Sequence, residues 1–574
     1  MSEKMMIKPF DYHGITLNDS NLKRQFDEVR DFYLRIPNDD LLRGYRIRAG
    51  LPAPGADLGG LYLTHNPFSQ ILSGLSRMYA ATGDIACKEK AEALLRGWAE
   101  CIEPDGFFFI TKSPEFIPYH YDKMVNGLLD MYLYCRNKDA LRHLNRITDW
   151  AIKNISRARI YASPIGNDGG EWYTLSENLY RAYLATGDAK YRDFAEVWEY
   201  REFWDYFSRK GNIFDHVGLY QPEGWNCGVY HAYSHVNSFN SLAAAYLVKG
   251  KDCDLESLKN AYNFLWENEL WATGGYGPDE ALLPREKLAG MLCKTNNHFE
   301  TQCGSWAAFK MCKYLMQFTG DARYGDWIEL LIINGIGASI PMDPDGGVFY
   351  YSEYRLEGSA KKNINPWACC SGTRVQAVAD FHDLIYFKDE DNLCINLFVP
   401  STVEWVHKNT AVTIAQRTDF PASPRTKFVV SVAKPIEFGI KVRTPAWLAD
   451  KMKASVNGRA IPAATDTQHW TCFWRTWRSG DTLTIDLPMG FSLSRIDSEN
   501  QYPLAVMYGP VTMAACGQDK NPSGKFDFAN LAESLVPVEG QALNYRLACD
   551  SSILVRPFYE FKKGEKYFMY LDPR

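Results

Sequence analysis

Through the first two-thirds of the chain, apolar residues follow a helical period that repeatedly runs to a Tyr/Leu-rich end. A Gly-Asp pair or near equivalent follows, and then a second helical pattern begins. The cases are MYAATGD (78–84), AYLATGD (182–188), AYLVKGKD (245–252) and YLMQFTGD (314–321), with MYLYCRNKD (131–139) a weaker copy carrying Asn for Gly. Glycine accepts the left-handed position after a helix, and the following Asp can cap the next one. A helical hairpin of this size cannot bury its apolar face alone. Copies spaced by roughly 50–70 residues are therefore expected to stack and close into an α/α toroid.

After about residue 388 the pattern changes. NLCINLFVP, AVTIAQ, KFVVSVA, FGIKVRTPAW, DTLTIDLP, LAVMYGPVTMAA and SILVRPFYEF are short, partly alternating and rich in Val, Ile and aromatics. Pro, Gly, Asn and Asp separate them, which reads as antiparallel strands of sandwich type. A break at SRIDSENQYP (494–503) suggests two β units. The expected architecture is an α+β multidomain chain. It has an (α/α)6 barrel over 1–388, a β-sandwich over 389–495 and a second β unit over 496–574.

Composition narrows the function classes. The chain has 574 residues and a net charge of −6, without a Lys/Arg run, which argues against a nucleic-acid or membrane-surface partner. No apolar run is long enough to span a bilayer. The start, MSEKMMIKPFDYHG, lacks the apolar core of a signal peptide, so a cytoplasmic location is the expectation. The 14 cysteines are scattered, unlike a disulfide framework. Aromatics make up 14% of the chain, which suits rings stacked on sugars and suits a large core equally.

Three clusters could carry chemistry. TGGYGPDEALLP places Glu280 after a glycine-rich turn; NNHFETQCGSW holds Glu300 and Cys303; and INPWACCSGT holds Cys369 and Cys370. Glu300 and Cys303, three apart, share a face if helical. With two thiols from a later loop they make four ligands, a set that suits tetrahedral zinc. Two adjacent cysteines pair with each other only under strain, but both can reach one ion. The competing readings are two buried small residues, a purely structural zinc, and a solvated loop carboxylate at Glu280.

These clusters, in this order, resemble glycoside hydrolase family 127, the β-L-arabinofuranosidase group. The resemblance extends to LLRGYRIRAGLPAPGADLGG (41–60), DKMVNGLLDMY (122–132), the Asn334-Gly335…Ala338 segment, IKVRTPAW (440–447) and LAVMYGPVTMAA (504–515). It implies a retaining glycosidase in which a zinc-bound cysteine replaces the usual carboxylate nucleophile. Cys369 would be the nucleophile and a zinc ligand, with Cys370, Cys303 and Glu300 completing the coordination and Glu280 as acid/base.

The chain departs from the family pattern in two places. It reads Glu-x-x-Cys where the family has Glu-x-Cys. Asp122, Trp172 and Asn240 fall where the family holds its sugar with histidines, and His120 and His235 lie nearby. Glu329, Tyr350 and Tyr351 match pocket-lining segments. The implied substrate is an oligosaccharide bearing β-linked L-arabinofuranose, with a branched acidic pentose of pectin as the alternative. A homodimer is compatible. A sugar epimerase or uronate lyase on the same scaffold, and a sugar-binding protein with structural zinc, are the rival classes.

Overall fold

The computed structural model describes residues 4–58, 65–158, 170–215, 230–496 and 501–574. Residues 59–60 of the early family-like segment and 497–500 of the expected break lie outside the described residues.

Twelve helices alternate between an outer and an inner layer. The outer helices are α1 (Asn21–Arg35), α3 (Ile85–Ala99), α5 (Lys138–Asn154), α7 (Ala189–Val197), α9 (Asp252–Asn268) and α11 (Gly325–Asn334). The inner ones are α2 (His65–Thr82), α4 (Ile117–Cys135), α6 (Ser176–Thr186), α8 (Ala232–Lys249), α10 (Thr301–Thr319) and α12 (Cys369–Leu384). Each inner helix packs on the next, and α12 packs back on α2, so the ring closes. Helices α8, α10 and α12 are buried almost throughout, as a second shell of helices around them requires.

The repeated turn builds this alternation. Gly83, Gly187, Gly250 and Gly320 end α2, α6, α8 and α10 at φ of 71°, 73°, 69° and 68°. Asp84 and Asp188 then cap the outer helices α3 and α7. In the weaker copy Arg136 takes the left-handed position at φ 55° and Asn137 caps α5.

Polar layers fill the ring. At the C-terminal ends of the inner helices, buried Arg77 binds Asp130 and Asp380, Arg181 reaches Asp130, and Trp306 Nε1 donates to Asp380 at 2.8 Å. Tyr12, from the N-terminal segment, donates to Asp380 at 2.6 Å and closes that end. One layer up, Gln70, Asn126, Asn178 and Gln376 hydrogen-bond to one another.

Two sheets form the sandwich. The five-stranded one runs, in spatial order, Lys8–Pro9, Tyr386–Lys388, Asn392–Ile395, Ile436–Arg443 and Trp470–Trp477. The seven-stranded one has Thr410–Thr418 and Arg425–Val432 at its centre and Ile15–Leu17 on one edge. Both sheets thus take a strand from ahead of the helical region. Another sheet, spanning Phe491–Arg495 to Tyr570–Leu571, packs on the turn after α9: Tyr570 accepts from Ala272 N at 2.8 Å. Among the described residues no helix is long and apolar enough to cross a membrane.

Barrel and sandwich share one buried ion cluster. Arg443, fully buried, binds the Asp326 and Glu329 carboxylates of α11 and donates to Asn396 O at 2.7 Å. Trp447 Nε1 donates to Glu329 at 2.6 Å. Burial lifts Asp326 to about 6 although Arg443 pulls it down. Arg443→Ala should cost about 3–5 kcal/mol by leaving two buried carboxylates without their cation. Without that guanidinium the carboxylates are tolerated in the fold only when protonated. The folded variant then binds more protons than its unfolded chain, and its stability falls as pH rises. Urea melts should therefore show a deficit that is larger near about pH 8 than near about pH 5. A pH-independent deficit would contradict this account.

Candidate active site

The N-terminal ends of the inner helices meet at the other mouth of the ring. Glu300 stands at the N-cap of α10, fixed by a short bridge that pairs Glu300 with Tyr351, and Cys303 lies in the first turn. Cys369 and Cys370 open α12 rather than lying in a loop. Trp367, buried against Phe32, anchors the approach to them. Glu300 thus sits before the helix and not within it.

The four side chains converge, with one ligand atom from each lying within 4.8 Å of the others. Cys303 Sγ is 3.8 Å from Cys369 Sγ and 3.2 Å from Cys370 Sγ. Glu300 Oε1 is 3.5 Å from Cys369 and 3.2 Å from Cys370, while Glu300 Oε2 is buried without a partner. Thiolates 2.3 Å from a shared tetrahedral ion stand about 3.8 Å apart, as Cys303 and Cys369 do; the Cys303–Cys370 pair is tighter, and the donor set and the oxygen without a partner among the described residues fit a metal.

The three sulfurs are not equivalent. Hydrogen bonds from the Cys303 and Cys370 thiols, and one from Tyr350 at 3.0 Å, hold the Cys369 thiol well below its usual range. Burial pushes Cys303 and Cys370 up. The N-terminus of α12 favours a thiolate at Cys369 in the same direction. It is also the partly exposed member, where Cys303 and Cys370 are buried.

Glu280 leaves its glycine-rich turn with φ 60°. Its carboxylate accepts from Tyr351 OH and lies 3.2 Å from His231 Nε2. His231 is the N-cap of α8. Burial disfavours its charge, but Glu171 and Glu280 outweigh this and raise it.

Thus Glu280, Glu300, Cys303, Tyr350, Tyr351, Cys369 and Cys370 come together. The other expected residues have partners elsewhere. Asp122 lies in the layer below, accepting from Asn178 at 2.8 Å and Thr174 at 3.1 Å. Trp172 turns outward against Tyr200 and Trp198, with Arg157 over its ring. His235 is wrapped by Tyr173, Tyr230 and Phe203, where burial drops it to about 3 and keeps it neutral. Asn240 donates to Asn237 and to Ala307 O inside the ring. Glu329 serves Arg443 at the sandwich. His120 is buried beside Tyr119.

Residues not singled out from the sequence also line the mouth. Lys123 is buried, donates to Tyr233 OH at 3.0 Å and lies 4.6 Å from the Tyr119 ring centre. Glu171 approaches His231 at 4.0 Å. The available signal was positional for His231, which falls at an inner-helix start one helix length before the Gly-Lys-Asp turn at 250–252.

Comparison with known proteins gives the fold and the family. The chain covers all of itself and 99% of a solved GH127 β-arabinofuranosidase at TM-score 0.77 and 16% identity. It matches a GH127 β-L-arabinofuranosidase from Geobacillus Stearothermophilus T6 over 97% of this chain and 99% of that one, at TM-score 0.73 and 16% identity. A structure described as a glycoside hydrolase gives 0.71 at 14% identity over 99% and 98%. At these identities the likeness establishes the fold. No curated protein matches the chain. The family model for the β-L-arabinofuranosidase GH127 catalytic domain matches residues 14–383, and the one for its middle domain matches 392–489. With most of its length accounted for in this way, the chain belongs to glycoside hydrolase family 127.

Proposed function

We propose that the protein is a retaining glycosidase that releases β-linked L-arabinofuranose, with Cys369 as nucleophile and Glu280 as acid/base. The observation that carries this reading is the convergence of Glu300 and three sulfurs at the mouth, of which Cys369 is partly exposed while Cys303 and Cys370 are buried behind it. A zinc ion held by Glu300, Cys303, Cys369 and Cys370 would supply the positive charge that keeps the sulfur a thiolate at neutral pH.

In the first step Cys369 Sγ attacks the anomeric carbon while Glu280 gives its proton to the departing glycosidic oxygen. In the second, Glu280 takes a proton from water, whose oxygen attacks from the face the leaving group vacated, opposite the sulfur, and Cys369 departs as thiolate. Two displacements return the original configuration. His231 and Tyr351 hold the Glu280 carboxylate from two sides, which restricts its rotation and limits the cost of orientation. The far end of the ring is filled by the Arg77–Asp130–Asp380 cluster and Tyr12, so the mouth is blind and suits a terminal sugar.

A nitrophenyl β-L-arabinofuranoside followed by proton NMR tests the reading: β-arabinose should appear first, and initial α-product would contradict retention. Elemental analysis should give about one zinc per chain. Chelation should remove activity, and zinc should restore it; full activity without metal would overturn the ligand assignment. Glu280→Gln should slow substrates with poor leaving groups about 10²–10⁴-fold and leave a fast first step with good ones. An equal first-step loss on both would assign the proton to another group.

A further inference from the structure

A carboxylate that takes no part in the steps above stands at the same mouth. Glu171 follows Gly170, and both adopt left-handed backbone, at φ 46° and 71°. A side chain at residue 170 would collide with the Phe116 ring. Holding a glutamate at positive φ is costly, and the turn is pinned by Glu171 O accepting from Thr174 N at 3.2 Å and Thr174 OH at 3.1 Å. The consequence is a change of direction: Trp172 enters the outer aromatic packing, while Glu171 is directed at His231. Glu171 Oε1 lies 4.0 Å from His231 Nε2, the nitrogen that also meets Glu280. Glu171 Oε2 is buried with no partner among the described residues. Its carboxylate therefore lies at the mouth, on the imidazole nitrogen that also meets Glu280.

A buried carboxylate oxygen without a donor is expensive, and a ligand hydroxyl is the chemistry that completes it. Resting on the glycosidase reading, we infer that Glu171 is a specificity-determining residue of the sugar subsite: its free oxygen accepts a hydrogen bond from one hydroxyl of an uncharged furanose seated over Cys369. Above about pH 7, where Glu171 is ionised, its carboxylate only accepts hydrogen bonds, so it holds a hydroxyl and repels a sugar acid. Burial lifts Glu171 to about 7 against the pull of His231, and the donated hydrogen bond offsets this cost. The choice between the two substrates that the resemblance left open thereby falls on the neutral sugar.

The test is a cycle between residue and hydroxyl. Values of kcat/KM are measured for wild type, Glu171→Gln and Glu171→Ala on an aryl β-L-arabinofuranoside and its 2-, 3- and 5-deoxy analogues, with metal content and melting midpoint checked for each protein. Glu171→Ala should lose about 10- to 100-fold on the parent sugar. One deoxy analogue should lose a similar factor with wild type and nothing further with Glu171→Ala. An active wild type whose deoxy penalties are unchanged in both variants overturns this inference alone, and would mean that Glu171 only positions His231. A wild type inert on the parent glycoside overturns the glycosidase reading and this one with it.

Discussion

Closure of the inner helical ring, with α12 packed between α10 and α2, is the constraint on which the rest depends. All six inner helices run the same way, so their N-termini share one mouth and their C-termini the other. Closure sets the first turn of α12 against the first turn of α10, and this brings the sulfurs of Cys303, Cys369 and Cys370 into contact. The polar interior follows from the same geometry. Side chains that point down the axis cannot reach water, so they must satisfy one another, as Arg77, Asp130, Arg181 and Asp380 do at the closed end.

Adjacent cysteines make sense in this setting. On the first turn of a helix, neighbouring side chains diverge by about 100°. That divergence lets Cys370 turn back to the buried ligands while Cys369 stays partly open. Of the three sulfurs, the one that faces the mouth is thus that of Cys369. The β units act as supports: Tyr570 and Thr512 hold the turn at Ala272 that leads to Glu280, and Tyr567 holds Glu353 O beside the Tyr351–Ser352 strand.

The toroid and the sheets were legible because their signals are local. A Gly-Asp turn after each apolar helical run needs nothing from the rest of the chain, and neither does strand alternation such as that of Thr410–Thr418. The sulfur cluster was legible as a ligand set because residue type alone limits what four such groups can do. The sugar contacts were less so. Side-chain direction at 171–172 is decided by a left-handed backbone turn that a one-residue register cannot foresee, so Trp172 was expected inward and Glu171 was passed over. Glu329 and His235 read as polar pocket residues, yet the structure gives one to an ion cluster under the sandwich and the other to an aromatic shell. Both contacts are with elements distant in sequence.

The central claim is that Cys369, a sulfur and not a carboxylate, bonds to the sugar during turnover. It is tested most directly by incubating the zinc-replete protein with an epoxide analogue of β-L-arabinofuranose and locating the adduct by peptide mass spectrometry. The account predicts one adduct per chain on the sulfur of Cys369, with none formed by Cys369→Ser. An adduct on Glu280 or Glu300, or labelling that persists in Cys369→Ser, would contradict it.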